Sequence, residues 1–238
     1  MKQILILILL VSGIQVGAQN NSELIKHFEA YTKQMRDQGD LQGIINGMTH
    51  LNVLSPSIPR ADTLAYLYMS DGKYMQALNT IGVERKVDDS DIALEVKAMS
   101  LKSVNQPKLA AEHFEEIFKR NPEPAIAYEL AEIYLQLKQL PDADKHIQYG
   151  LNNSKPEMMR AYYEQQTPYQ VSLKSAFMYL NALSVYNKDP KENIDAAVDI
   201  LDAALKASPN FNLIQISKSE LLRQKQALQA QAAQGAGN

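Results

Sequence analysis

The stretch from Asp91 to Pro122, DIALEVKAMSLKSVNQPKLAAEHFEEIFKRNP, decides the fold of this chain. Its apolar spacing predicts two short amphipathic helices, which are joined by a turn at residues 105–107. Ala98 and Ala110 place small side chains where the two helices would touch. Pro122 ends the second helix, because proline lacks an amide hydrogen and disfavours helical backbone in the residue before it.

The same pattern returns at a constant spacing on either side of this stretch, in repeats that start near Ile25, Ile58, Asp91 and Pro124. Four sets of positions, called columns here, keep their character from repeat to repeat. The columns are small residues at Thr32, Ala65, Ala98 and Ala131, large ones at Met35, Tyr68, Leu101 and Tyr134, mostly small ones at Ile44, Ala77, Ala110 and Ala143, and bulky ones at Met48, Ile81, Phe114 and Ile147. A fixed period of this kind predicts a solenoid.

The small columns have a physical reason. Two helices approach to about 8–10 Å only where the side chains at their crossing point are small. Each repeat leaves an apolar face bare until the next repeat covers it, so the stability of the chain is shared between neighbouring repeats.

The repeats resemble the tetratricopeptide repeat family, whose pattern joins tryptophan, leucine, glycine and tyrosine with a later alanine, phenylalanine and proline. The second repeat matches this pattern at Leu64, Ala65, Tyr68, Gly72, Tyr74, Ala77 and Ile81. The chain departs from the pattern in having no tryptophan and a period slightly shorter than usual. The resemblance covers residues 25–209 and implies an all-α, right-handed superhelix (solenoid) of helix-turn-helix repeats.

The amino terminus has the features of a signal peptide at residues 1–18. Lys2 precedes an apolar run from Ile4 to Val11, and residues 16–18 (Val-Gly-Ala) supply small residues before a cleavage site. The alternative is a membrane anchor, but the run is shorter than the roughly 20 residues that a spanning helix needs. We therefore expect a bacterial, exported protein without a membrane span after cleavage, located in the periplasm or, alternatively, outside the cell.

The solenoid is predicted to occupy residues 19–209, with a longer fifth repeat at residues 157–209. In this repeat a short helix is predicted from Met158 to Gln165 and a longer one from residues 167–168 to about Tyr186. A capping helix is predicted at residues 210–228, because a terminal repeat needs a polar outer face. The low-complexity residues 229–238 are predicted to be a disordered tail.

Enzymatic and metal-binding motifs are missing from the sequence. It contains no GxSxG, no HExxH, no glycine-rich phosphate loop and no cysteine, so thiolate chemistry, disulfides and lipid attachment to cysteine are excluded. His113 and His146 share a column, but the sequence pattern favours solvated histidines over a metal site. We expect no catalytic residues, no cofactor and no metal.

Nucleic acid is an unexpected partner for this chain. Its formal net charge is −3, whereas binding to phosphates needs a basic stripe. The isolated basic side chains of the first repeat fit a solvated helix face.

The resemblance implies that the inner surface of the superhelix binds a peptide or protein, since family members line this surface with outward-facing positions of the first helices. Carried over to this chain, those positions are Glu29, Asp62, Tyr66, Met69, Glu95, Met99, Lys102, Tyr128, Glu132 and Leu135. An acidic ladder with a neighbouring apolar strip suits an extended or helical segment that bears basic and apolar side chains.

Three classes of function remain open from the sequence. The first is a non-enzymatic scaffold of the bacterial envelope that binds a protein segment on the concave face. The second is an accessory subunit of an envelope assembly that uses aromatic residues of the fifth repeat, namely Tyr162, Tyr163, Phe177 and Tyr179. The third is an enzyme or small-ligand binder with its site in the concave face.

Overall fold

The computed structural model describes residues 21–235, and the predicted signal peptide lies outside them. The chain is helical at residues 21–38 (α1). The elements that follow are α2 (Leu41–Leu54), α3 (Ile58–Ser70), α4 (Tyr74–Ile81), α5 (Asp91–Ser103), α6 (Pro107–Arg120), α7 (Pro124–Gln136), α8 (Leu140–Asn153), β1 (Met159–Tyr162), β2 (Tyr169–Ser172), α9 (Leu173–Lys188), α10 (Ile194–Ala207) and α11 (Asn212–Gly235). The predicted helical class and the succession of helix pairs are confirmed.

The chain divides into two compact units, residues 1–110 and 111–238, which are called the N-terminal and the C-terminal unit here. The core of the N-terminal unit includes Ile45, Leu51 and Leu64. The core of the C-terminal unit extends from α7 to α11 and includes Phe177 and Phe211.

The backbone repeats with the same period as the sequence, at the turn inside each of the first four helix pairs. One residue of each turn lies in the left-handed region, at Gly39 (φ 71°), Gly72 (φ 72°), Asn105 (φ 58°) and Lys138 (φ 58°). The next amide then donates to a carbonyl in the last turn of the first helix, in the bonds Asp40–Met35, Lys73–Tyr68, Gln106–Leu101 and Gln139–Tyr134 of 2.8–2.9 Å. This is the Schellman arrangement, and it ends each first helix at the same column.

Lys138 is the costly member of this series, because a side chain with a Cβ is strained in the left-handed region by roughly 1–2 kcal/mol. Lys138→Gly is expected to raise the free energy of unfolding by about 0.5–1 kcal/mol, since glycine removes the strain but also loosens the unfolded chain. Denaturant unfolding of the full chain measures the change. Lys145→Gly, at an exposed position inside α8, is the control and should lower stability by about 1 kcal/mol. A loss of stability in both variants would contradict the expectation.

The alanine columns lie where the sequence predicts close packing. All six alanines from the second to the fourth repeat are fully buried: Ala65, Ala77, Ala98, Ala110, Ala131 and Ala143. The first repeat achieves its close approach differently, since Ile44 is only half-buried and a Cβ on Gly47 would lie 2.2 Å from the Thr32 hydroxyl. Gly47 therefore supplies the small position of the first helix pair.

A β-hairpin replaces the short helix predicted from Met158 to Gln165, so that prediction is wrong. Strands β1 and β2 pair in antiparallel fashion, from Met159 opposite Ser172 to Tyr162 opposite Tyr169. Aromatic and β-branched residues favour extended backbone here, and the side chains of Tyr162 and Val171 are buried. The longer helix begins later than predicted, because the Ser172 hydroxyl accepts the Ser175 amide and caps α9 at Leu173.

The last helix packs on α10 and closes the apolar core of the C-terminal unit. Ile214 and Leu221 bury the apolar face of α11. Lys218 and Lys225 pair with Asp202 and Asp195 of α10, both at 2.5 Å. The helix continues to Gly235, past the predicted end at residue 228, because alanine and glutamine are strong helix formers.

Candidate functional site

The N-terminal unit exposes an apolar surface on the adjacent helices α3 and α5. Tyr66 and Met99 occupy the same column, and their exposed fractions are 44% and 37%. Met69 is half-buried against the core one turn after Tyr66, and Glu95 is exposed one turn before Met99. Together with the half-exposed Lys102, these residues form what we call the α3–α5 surface.

The acidic ladder predicted from the sequence is not a continuous exposed strip. Glu29 on α1 and Glu95 on α5 are exposed, but only 5% of Asp62 is exposed. The Asp62 carboxylate accepts a hydrogen bond of 2.6 Å from the Ser90 hydroxyl. That same hydroxyl accepts the Ala93 amide at 3.0 Å and so caps α5. Asp62 thus ties α3 to the start of α5.

The corresponding face of α7 in the C-terminal unit is covered by the chain's own β1. The guanidinium of Arg160 lies 3.8 Å from the centre of the Tyr128 ring and donates to Glu129 at 2.8 Å. Its second amino group is 3.9 Å from Glu132. The hydroxyl groups of Tyr128 and Tyr162 are 2.8 Å apart. Tyr128 is consequently buried, whereas Glu132 and Leu135 remain half-exposed.

The electrostatics of this contact are those of a buried, neutralised cation. Burial raises the pKa of the Tyr128 phenol well above its usual value, so the hydroxyl stays protonated and can hydrogen-bond. Burial opposes the charge of Arg160, but the Glu129 carboxylate outweighs it and raises the pKa of the guanidinium. The arrangement therefore holds a charged guanidinium between an aromatic face and carboxylates.

Most of the fifth-repeat aromatic residues considered as a contact surface belong to the core. Phe177 is fully buried and Tyr162 nearly so. The Tyr179 hydroxyl lies 3.3 Å from the Ser217 hydroxyl of α11, and its ring lies 5.6 Å from the Phe211 ring. Of the four, Tyr163 alone is open to solvent, with 75% of the residue exposed.

The prediction that His113 and His146 are solvated is wrong, because both are buried. Their column is also that of Gly47, and it faces the partner helix of the same repeat. His146 Nε2 lies 2.9 Å from the Glu115 carboxylate, and the imidazole stacks on Tyr134 with ring centres 5.8 Å apart. Among the described residues no group of three or more histidine, cysteine, aspartate or glutamate side chains could hold a metal.

The buried His146 predicts a pH dependence of stability. Burial lowers its pKa below the ordinary value, although the Glu115 carboxylate opposes the shift. The unfolded chain then binds this proton at a higher pH than the folded chain does. Stability from this group should be complete above about pH 6.5 and decline as the pH falls below it. Unfolding midpoints between about pH 7.5 and pH 5.5 should decline less steeply in His146→Gln; equal slopes would contradict this.

A buried ion pair that the sequence analysis missed anchors the segment between α4 and α5. The Lys97 ammonium donates to both carboxylate oxygens of Asp89, at 2.6 and 2.8 Å, and to the Glu84 carbonyl at 2.9 Å. Lys97 is fully buried, although its column holds Leu64 and Leu130 in the neighbouring repeats. A charge in a leucine column, near the acidic residues 88–89, was the available signal.

Comparison with known proteins agrees with this architecture. Residues 96–145 match the family model described as the tetratricopeptide repeat. The chain carries tetratricopeptide repeats. The matched segment includes the second helix of one repeat flanked by helices of its neighbours, α5 to α8. No curated protein matches the sequence.

Solved structures of other tetratricopeptide repeat proteins share the fold at low sequence identity. A tetratricopeptide repeat protein from Parabacteroides merdae is 15% identical, with 86% of this chain and 75% of that chain covered and a TM-score of 0.62. YrrB, described as having an unusual peptide-binding site, is 14% identical, with 81% and 90% covered and a TM-score of 0.61. The MamA protein is 16% identical, with 79% and 93% covered and a TM-score of 0.58.

The tetratricopeptide repeats place this chain among scaffolds of protein–protein interaction. Within residues 21–235 no helix has the length and apolar character required to cross a membrane.

Proposed function

We propose that this tetratricopeptide repeat protein is a non-enzymatic scaffold of the bacterial envelope, which binds a segment of another protein on the α3–α5 surface. The observation that carries the proposal is the exposure of Tyr66 and Met99 on adjacent helices of the N-terminal unit. Aromatic and methionine side chains are enriched in protein interfaces. The envelope location rests on the leader-like residues 1–18.

The surface suits a partner segment with apolar anchors and at least one basic residue. Methionine has an adaptable side chain that can follow the shape of different partners, and Met69 and Met99 flank Tyr66 on either helix. Glu95 offers a carboxylate one turn from Met99. Lys102 on the same helix adds a positive end to the surface, so a segment with charges of both signs would bind in one direction.

A double variant tests the proposal through two side chains of the surface. Tyr66→Ala/Met99→Ala should reduce recovery of the partner from native envelope extract by at least about tenfold, because central aromatic anchors dominate interface energies. Tyr163→Ala/Met75→Ala is the matched control, since it removes the same two residue types at exposed positions elsewhere. Circular dichroism establishes that both variants remain folded. Unchanged recovery with the first variant would refute the α3–α5 surface as the binding site.

The exposure of Tyr163 favours a second candidate function, an accessory subunit that contacts its assembly through the fifth repeat. In that case the control variant, and not the Tyr66/Met99 variant, should lose the partner. The same experiment therefore separates the two proposals.

A further inference from the structure

A cavity of about 460 Å³ lies in the N-terminal unit, beside the buried carboxylate of Asp62. Helix α4 creates it by ending early, at Ile81, since it has 8 residues whereas α6 and α8 each have 14. Gly82 (φ 83°) turns the chain away from the helix axis. The segment 82–90 then leads to α5, and residues 86 and 88–90 form one wall of the cavity.

The wall of this cavity is rich in hydrogen-bond acceptors and poor in donors. Asp62 is 5% exposed, and the one donor that the described residues give it is the neutral Ser90 hydroxyl. The side-chain oxygen of Asn52 is buried and has no donor among the described residues. Asp89 is neutralised by Lys97, which leaves Asp62 and Asp88 against the single positive charge of Lys86 in the wall. A ligand that brings several N–H donors and a positive charge would satisfy these groups.

The repeat itself shows what occupies the same position two repeats later. Asp62 and Tyr128 stand at the same place in the second and the fourth repeat, so they belong to one column of the first helices. In the fourth repeat the segment that follows α8 forms the β-hairpin, and its Arg160 places a guanidinium 3.8 Å above the Tyr128 ring. In the second repeat the corresponding segment, residues 82–90, encloses the open cavity over Asp62.

We propose that the cavity over Asp62 binds the guanidinium of an arginine side chain supplied by a polypeptide partner. Asp62 accepts two N–H groups of the fork, and the exposed side chain of Ile58 in the cavity wall contacts the arginine methylenes. Asp62 and Tyr66 are one helical turn apart, so this arginine and an apolar anchor on Tyr66 come from neighbouring positions of one segment. The proposal rests on the proposed function for the origin of the arginine, but the cavity can be tested without a partner.

The probe is Nα-acetyl-arginine amide, titrated into the isotope-labelled full chain and followed by NMR. The amides of Ser57, Ser90 and Ala93, which border the cavity, are expected to shift saturably. Asp62→Asn should weaken binding by at least about tenfold, because a hydrogen-bonded charge pair is lost while the Ser90 hydroxyl keeps an acceptor. Asp37→Asn, an exposed carboxylate on α1, is the matched control and should bind like the unaltered chain.

Nα-acetyl-citrulline amide, which has the shape of the probe without its charge, should not produce saturable shifts. Equal shifts with citrulline, equal affinity in Asp62→Asn, or no saturable shift at the cavity would each overturn the proposal. Failure here, with partner binding still lost in Tyr66→Ala/Met99→Ala, would leave the α3–α5 surface intact. Success here, with unchanged partner recovery, would instead refute that surface and retain the cavity.

Discussion

Asp89→Ala is expected to lower the free energy of unfolding by about 3–5 kcal/mol, because it leaves the ammonium of Lys97 buried without its carboxylate. The side chains of Lys97 and Asp89 are 1% and 6% exposed, so water cannot readily replace the lost partner. The Glu84 carbonyl is the remaining acceptor that the ammonium contacts. Chemical denaturation of the full chain measures the loss as a shift of the unfolding midpoint.

The double variant Asp89→Ala/Lys97→Leu separates a buried-charge penalty from a general effect of disturbing the loop. Leucine is the residue of this column at positions 64 and 130, so it suits the apolar surroundings. The double variant should recover most of the stability, since replacing a buried ion pair with apolar residues is often neutral or stabilising. If it is as unstable as Asp89→Ala alone, the loss does not come from the unpaired ammonium.

Gly150→Ala is expected to destabilise the C-terminal unit by about 1–3 kcal/mol, although alanine normally favours a helix over glycine by about 1 kcal/mol. A Cβ at residue 150 of α8 would lie 2.0 Å from the ring of Phe177 on α9. Phe177 is fully buried, and its ring packs edge-on against Tyr128 with centroids 5.4 Å apart. The ring therefore has no free space into which it could move.

Asn152→Ala is the matched control, because residue 152 is exposed on the same helix. It should leave stability unchanged or raise it by about half a kcal/mol. Phe177→Leu in the Gly150→Ala background should restore part of the loss, which a double-mutant cycle would show as favourable coupling. Thermal or denaturant unfolding that finds Gly150→Ala at least as stable as the unaltered chain would contradict the close approach of α8 and α9.

The helix pairs could be predicted from the sequence because their determinants are local or periodic. Gly39 and Asp40 mark the first turn, and α2 spans Leu41–Leu54 as the sequence predicts. The alanines recur at positions that must be small in every repeat, so a single chain carries several copies of the same signal.

The β-hairpin and the buried ion pair could not be predicted in the same way, because each depends on one tertiary contact that no other repeat shares. Strand β1 is stabilised by Arg160 and Tyr162 on the face of α7, from which the whole of α8 separates it along the chain. Lys97 is tolerated in an apolar column only because the irregular segment 82–90 brings Asp89 to it. Periodicity carries no information about either contact.

The candidate site was predictable in its residue types but not in its exposure. Tyr66, Met69, Glu95 and Met99 lie on the accessible surface or border it, since nothing in the N-terminal unit covers them in the described part of the chain. Tyr128 belongs to the same column as Asp62 and Glu95, yet it is covered by Arg160. Which members of a column are covered depends on the segments between the repeats, and their lengths differ from repeat to repeat.

Photocrosslinking from single positions tests most directly whether the α3–α5 surface binds another protein. A photoreactive phenylalanine analogue is placed at residue 99, on the surface, or at residue 163, at the exposed end of the β-hairpin, and the cells are irradiated before extraction. Our account predicts a discrete adduct with a second protein from position 99, diminished by Tyr66→Ala, and none from position 163. Adducts from position 163 alone would contradict it and favour contact through the fifth repeat.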